Sequence, residues 1–590
     1  MPNDRRAWSF FAEPNARPCL AAASGSSSAE RPWPKFAEPP WTHQSPGWLR
    51  IDRGLGEDDL ARKIARLVDE ELDLQRLFSS YAGRGSLPHR PDLLLKMVLY
   101  EHHNGRPQPT QWFYDLEKNT SVQWLTFGIR VPRSTLYEFR DRVQPFLAEL
   151  NQQVIRTAIA EKHTDASKAS LDGTFVAANA SRHRLLSLNT VEQRLEQLDQ
   201  EIAKTEAAEA NEPQPKAVAE TGADETVETG LVADAIPAQS ETEQIQQTSA
   251  TQSPSATQGP SAEPTATEDQ VPSFMGKTKR GKKRQRADYK RAQEILKERN
   301  QSNARRRKDK RKKSEQVRVA IGDPNAPFGR DKMKVFRPLY NLQTMTDVET
   351  DLVFAFSLTP TLSDSGHLVP MINLTTAVTE RVLKMVLADS GYPSGDDLAK
   401  CEAMKVLVFA PWNENSFTAE KRAKAGENGP IRKDEFTWDS TIPGYRCPQG
   451  NPLTFRERTT KQKANGDSVP LEIYQADAAD CADCPLKARC VHGNSGARTV
   501  RRQPHEDLID KMRDRMKTPE GKALYRQRGC TVERRFADMK SFRGAERMSG
   551  RTPERAEAQV GLTILAHNLI TLDKLRKREA ARENPQKMAV

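Results

Sequence analysis

A mixed α/β fold with an all-helical domain ahead of it is what this 590-residue chain predicts, and three observations carry that expectation. Two apolar runs, LDGTFVAA around residue 172 and KVLVFAPW from residue 405, read as buried strands. The run VLKMVLADSGYPSG is apolar as far as Asp389, then turns at once through Ser390, Gly391, Pro393 and Gly395. Residues 58–162 instead carry helical patterning, in DDLARKIARLVDEEL, PDLLLKMVLYEHH and RSTLYEFRDRVQPFLAELNQQVIRTAIAE.

In chain order, residues 1–55 are rich in Pro, Ser and Ala and are expected to be disordered, with Trp33, Trp41 and Trp48 solvated or loosely packed. Residues 56–165 form the helical domain. Pro132 marks the start of its last long helix, and Thr135 with Glu138 has capping-box spacing. The α/β core begins at 166–185 and resumes at 318–412. Asp172 falls in the middle of its strand, where a carboxylate is costly unless it is paired or bound to a cation. Asp389 stands at the C-terminal end of a buried strand, a frequent ligand position in α/β folds. Taken singly, each acid reads equally well as a satisfied structural carboxylate.

Two insertions interrupt the core. Within 186–317, Leu188, Val191, Leu195, Leu198 and Ile202 make a short heptad stripe. Residues 206–270 follow, with thirteen Asp or Glu and one Lys, a composition that cannot bury enough apolar surface to order itself. Residues 277–313 then hold nineteen Lys or Arg against four Asp or Glu. That segment accounts for the net charge of +11, and the rest of the chain is slightly acidic. The basic run reads as a phosphate-binding element, as a solvated charged helix, or as a partner for the adjacent acidic tract of the same chain. The second insertion, 413–505, holds Cys447, Cys481, Cys484 and Cys490, a set able to form a tetrahedral structural zinc site, with His492 as a substitute ligand. The alternative is a buried cluster of reduced thiols. Cys19, Cys401 and Cys530 read as free thiols.

Residues 506–577 complete the core and 578–590 form a tail. In YRQRGCTVERRFADMK, Glu533 sits in a basic helical segment between Tyr525, Arg528 and Lys540. By itself this is an ordinary amphipathic helix. With Asp172 and Asp389 it completes a set of three acids. No apolar run approaches the ~18 residues needed to cross a bilayer. The first residues lack the continuous apolar stretch of a secretory signal, so a soluble, cytoplasmic protein is expected.

At this point the chain resembles the DDE-type transposases of bacterial insertion sequences, nearest to the branch with a Tyr-Arg-Glu-Lys signature. The segments LDGTFVAANASRHRL, PLYNLQTMTD, VLADSGYPSG, YRQRGCTVERRFADMK and RGAERMSGRTPERAEAQVGLTILAHNLITL carry the likeness, with HRPDLLLKMVLYEHHNGRPQPTQWFYDLEKN upstream. It covers roughly residues 55–185 and 318–577. The resemblance implies an RNase H-like core with a central mixed sheet and flanking helices. It implies Asp172, Asp389 and Glu533 as catalytic ligands of Mg²⁺ (or Mn²⁺), and Tyr525, Arg528 and Lys540 as holders of DNA phosphates. The helical domain, with Arg133, Arg140 and Arg142, suits a helix-turn-helix reader of element ends, or else simple packing or dimerisation. One departure is plain: the common signature has three residues between Arg and Glu, whereas four separate Arg528 from Glu533. The implied activity is binding of terminal inverted repeats, cleavage at their ends and joining to target DNA, by a homodimer or larger synaptic complex at the nucleoid. The rivals are a metal-dependent nuclease that never joins and a catalytically inactive DNA-binding relic.

Overall fold

The computed structural model describes residues 34–81, 86–211, 272, 274–412, 429–463, 465–491 and 496–583. Its central sheet is built around β1 (Lys168–Ala177). Strands β2 (Leu185–Ser187) and β3 (Arg318–Ala320) pair as a separate ribbon. The chain then adds β4 (Phe328–Arg330), β5 (Phe336–Asp347), β6 (Val353–Thr359), β7 (Met385–Leu387) and β8 (Leu407–Phe409). β5 lies antiparallel to β1 along its length, and β6 and β4 both pair antiparallel with β5. On the other side β7 and β8 add in parallel. The resulting order, β6-β5-β1-β7-β8, is the antiparallel-then-parallel arrangement of an RNase H-like core following a helical domain.

The helix Pro553–Glu583 explains why the helical domain and the sheet share one interior. It is buried almost throughout from Ala556 to Asp573, and it packs against helices Leu147–Ala160 and Pro91–His103 and against β6. A single apolar cluster therefore joins Leu95 and Val154 of the helices to Leu171, Met345 and Phe354 of the sheet and Leu565 of the last helix. β6 would be an open edge, and its unpaired backbone groups would be costly if buried. Asn568 meets them: its Oδ1 accepts from the Val353 N–H (2.9 Å), and its Nδ2 donates to the Val353 carbonyl (2.8 Å) and to Asn151 Oδ1 (2.7 Å). Residue 165 thus marks a change of element and not of core.

Two expectations from the sequence are corrected. Residues 46–54 are a helix, not part of a disordered segment, and Trp48 is buried, stacked on Trp124 (5.6 Å) and Phe127 (5.7 Å). Burying so large a ring outweighs the unfavourable local composition; Trp33 lies outside the described residues. Thr135 does not cap a helix either. The helix runs Arg133–Val143 with Pro132 at its N-cap, so it starts three residues earlier than a cap at Thr135 would set it, after proline's fixed φ.

Residues 194–287 make a unit of their own. Parts of the helices Leu188–Asn211 and Lys279–Arg305 face each other in it, with Leu195, Leu198 and Ile202 of the heptad stripe buried. Ion pairs Lys283–Glu206 (2.7 Å), Lys282–Glu201 (3.4 Å) and Arg286–Asp199 line the seam. The acidic tract beyond residue 211 lies outside the described residues.

The second insertion folds as an antiparallel meander of β9 (Thr437–Asp439), β10 (Gly444–Arg446), β11 (Pro452–Gln462), β12 (Ser468–Ala476) and β13 (Thr499–Arg502), in that spatial order. Its small core takes in Tyr445, Leu453 and Tyr474 together with Cys481 and Cys490.

Candidate active site

The register of the central sheet brings two of the three acids together. Ser170 of β1 is level with Leu387 of β7, and the strands are parallel. Two residues further on in each, on the same side by the alternation of strand side chains, stand Asp172 and Asp389. Neighbouring strands run ~4.8 Å apart. Asp172 remains in β1 opposite Thr344 of β5, and Asp389 lies just beyond β7, where its Oδ1 accepts from the Ser390 N–H at 2.7 Å. Burial pushes the Asp172 carboxyl above its usual range; Arg528 opposes that shift and the nearby charge of Asp389 adds to it.

Gly173 is needed beside Asp172. A Cβ there would meet Gln343 Nε2 at 2.3 Å, Asp364 Oδ1 at 2.7 Å and the Tyr392 hydroxyl at 2.9 Å. Those neighbours form a polar floor, in which Asp364 Oδ1 accepts from Asn341 Nδ2 (2.9 Å) and Gln343 Nε2 (3.0 Å). Asp364 also borders the turn after Asp389, 3.7 Å from where a Cβ on Gly391 would stand. Sequence reasoning missed this floor, because Asn341 and Gln343 look like ordinary polar residues of a strand. The Asp-Gly pair at 172–173 was the available signal.

The third acid arrives on a different kind of element. Helix Pro519–Arg528 continues through a π-helical turn, Gly529–Glu533, into helix Arg534–Ser541. A π-turn holds one more residue than an α-turn, and this one falls between Arg528 and Glu533, where the chain has its extra residue. The hydroxyl of Thr531 sits 2.9 Å from the Arg528 carbonyl and 3.2 Å from that of Gln527, meeting oxygens the widened turn leaves short of partners. The turn packs on β1 and β5. Arg528 Nη2 forms an ion pair with Asp172 Oδ1 at 2.9 Å, and both side chains are largely buried. The buried Arg528 Nε has no hydrogen-bond partner among the described residues.

The remaining predicted residues divide. Tyr525 is half-buried and close to Arg528, and burial raises its phenol above the usual range. Lys540 donates to the Phe175 carbonyl of β1 at 2.7 Å, and burial lowers its ammonium. Glu533 is exposed on the helix. Among the described residues no group of three or more His, Cys, Asp or Glu side chains stands at metal-holding geometry. In the helical domain Arg133 is exposed and lies over the Phe113 ring. Arg140 is not available to DNA: it is 3 % exposed and donates twice to Asp141 Oδ1, at 2.9 and 2.8 Å. Asp141 also binds Arg555, 414 positions away, a contact that local sequence cannot disclose.

The four predicted zinc ligands do converge. Cys447, Cys481, Cys484 and Cys490 line one cavity of about 20 Å³. Cys447 opens a tight turn in which the Gly450 N–H donates to its carbonyl (2.8 Å) and Gly450 takes φ +85°. Burial raises the Cys490 thiol, and the other three thiols add to the shift while Arg498 opposes it. His492 lies outside the described residues.

Two protein-family models match parts of the chain. Residues 446–573 match the family model described as a transposase DDE domain, a span that contains Glu533 but neither aspartate. Residues 49–142 match a second, described as a transposase domain (DUF772). No curated protein and no solved structure matches the chain. No described helix is long and apolar enough to cross a membrane. The two family matches, one on the helical domain and one running from the cysteine-bearing meander through the C-terminal part of the core, support a DDE-type transposase.

Proposed function

We propose that this chain is the transposase of a bacterial insertion sequence, a dimer or larger assembly that binds terminal inverted repeats, cuts at their ends and joins the freed 3′ ends to target DNA. The observation that carries the reading is the pair of acids level with each other on adjacent parallel strands, with the Glu533 helix drawn over them by the Arg528–Asp172 ion pair. The donor set fits hard divalent cations, because two carboxylates crowded in a part-buried site need positive charge and offer only oxygen. Asp172 and Asp389 would hold Mg²⁺ or Mn²⁺, and Glu533 would complete the set as DNA seats the helix. Bound there, the ions would polarise the scissile phosphate and ease deprotonation of the attacking oxygen.

The chain's own residues supply the rest. Arg528 neutralises Asp172 in the free protein and is placed to turn its guanidinium to a phosphate oxygen, a planar fork suited to that anion. With the π-turn taking up the extra residue, Tyr525, Arg528, Glu533 and Lys540 serve as the Tyr-Arg-Glu-Lys set. The Tyr525 phenol stays protonated and gives a hydrogen bond, not a nucleophilic attack. Lys540 fastens the helix to β1 and so positions Glu533. Arg133 remains as an exposed contact for the end sequence. In cleavage a water oxygen bonds to phosphorus as the bond to O3′ breaks, leaving a 3′-OH. That 3′-OH then displaces an oxygen at a target phosphodiester. Cys447, Cys481, Cys484 and Cys490, which line one cavity, would hold a structural zinc ion through their thiolates.

Incubation of the full-length protein with a plasmid carrying candidate ends, in Mg²⁺, tests the reading: joined products are expected. Cut but never joined DNA would mean a nuclease, and binding alone would mean a relic. For zinc, one ion per purified chain is expected, and it should be lost when Cys481 and Cys484 become Ser. Zinc-free protein whose thiols all titrate would reject that site.

A further inference from the structure

A second charged surface lies on the strand-β4 side of the sheet. A groove of about 600 Å³ is lined there by Arg299, Arg306, Lys312 and Arg318, with Phe328 and Leu362 among its apolar members and no carboxylate among its lining residues. Arg299 and Arg318 donate to backbone carbonyls, of Asn325 at 2.7 Å and Glu315 at 3.0 Å, which are neutral partners. Burial lowers the Arg299 guanidinium below its ordinary range, and the charges of Asp323 and Glu298 only partly oppose that shift. At the edge of the groove Phe328 and Phe336 stack with centroids 6.0 Å apart and planes 22° apart. They are 37 % and 56 % exposed. Arg330 lies over the Phe336 ring at 5.9 Å. The same hairpin bears Lys332, whose charge is felt at both Asp172 and Lys540, so the groove's hairpin reaches the candidate active site.

Cations without carboxylates beside solvent-facing stacked rings are the components of a single-strand nucleic-acid site, where arginine and lysine track phosphates and aromatic faces stack on bases. Duplex DNA offers such rings no free base face. We propose that this groove binds an unpaired stretch of DNA leading to the active site, with phosphates on Arg306, Lys312 and Arg318 and a base on the Phe328–Phe336 pair. The inference rests on the reading that the substrate is DNA.

The test is fluorescence anisotropy of the full-length chain with a labelled single-stranded oligonucleotide and with a duplex of matched length, over a range of salt. In Phe328→Ala/Phe336→Ala, single-strand affinity is expected to fall roughly tenfold or more, with duplex affinity changed less than about twofold. Phe336→Trp should restore the loss. A triple variant, Arg306→Gln/Lys312→Gln/Arg318→Gln, should flatten the single-strand slope of log K against log salt by about 2. Both variants alter largely exposed side chains, and unchanged melting temperatures would show that they fold. Single-strand affinity unaltered by loss of the two rings would overturn the proposal, as would an equal loss on duplex. So would tight binding of a glutamate-rich peptide in place of the oligonucleotide. If wild-type protein bound no DNA of either form, the transposase reading would fall with it; duplex binding without the ring-dependent single-strand component would sink the groove alone.

Discussion

Strands β1 and β7 bring Asp172 and Asp389 level with each other, the helical segment 519–541 carries Glu533, and the two regions are held by different physics. The strands fix Asp172 and Asp389 by register: a slip of one residue would turn every side chain of a strand buried on both faces. The helix is held by the Arg528–Asp172 pair, the Lys540 bond to Phe175 and the packing of a π-turn. Half of the site is therefore rigid and half adjustable. An enzyme that must admit DNA before completing its ligand set has reason to be built so, and this agrees with Glu533 standing exposed in the free protein.

The largest effects should come from the rigid half. Asp172→Asn and Asp389→Asn should each lower cleavage by about a thousandfold or more, with DNA affinity within a few-fold of wild type. Inserting one Ala after Leu171 should be as damaging, because it shifts the register. An active Asp389→Asn enzyme, assayed by plasmid nicking, would remove that residue from the site.

Intermediate effects should come from the hinge between the halves. Arg528→Ala leaves Asp172 without its cation, so cleavage should fall by about a hundredfold and the melting temperature should drop as a part-buried pair is broken. Deleting Cys530, an exposed residue of the π-turn, should let the helix return to regular α geometry with Arg528 and Glu533 still on one face of it. Activity within about tenfold of wild type is expected. Complete loss with an intact fold would mean that the π-turn itself aims Glu533.

The smallest effect lies beneath the helical domain. Burial and the adjacent Asp115 push the Glu101 carboxyl up to about 8. A raised carboxyl favours the folded state while it is protonated. Its contribution is full below its ordinary value near 4.5 and is lost as pH rises towards 8. The melting temperature should fall across that window, and Glu101→Gln should flatten the fall. An equally steep decline in the variant would assign the pH dependence elsewhere.

How much of this was legible in the chain follows the same division. Asp172 and Asp389 could be read because an acid in an apolar strand is conspicuous, and strand ends are marked by turn residues. The fold class followed from the same runs. Arg140 misled because its burial depends on Asp141 and on Arg555, which arrives from the far end of the chain. Trp48 misled because its partners Trp124 and Phe127 belong to another helix and the loop after it. The fit of Arg528 with Glu533 was hidden for a third reason. Residue counting assumes α-helical pitch, and a single π-turn breaks that assumption. The four cysteines were legible as a set, but the small cavity they share depends on two distant turns of one meander.

The most direct test of the central claim, that Glu533 joins Asp172 and Asp389 in one metal-dependent site, is cleavage of supercoiled plasmid carrying candidate ends, comparing wild type with Glu533→Gln in Mg²⁺ or Mn²⁺ and in EDTA. Metal-dependent nicking and joining by wild type alone, with equal DNA binding by both proteins, is the expected result. Equal activity in the two proteins would contradict it and leave Glu533 as a surface residue of a basic helix.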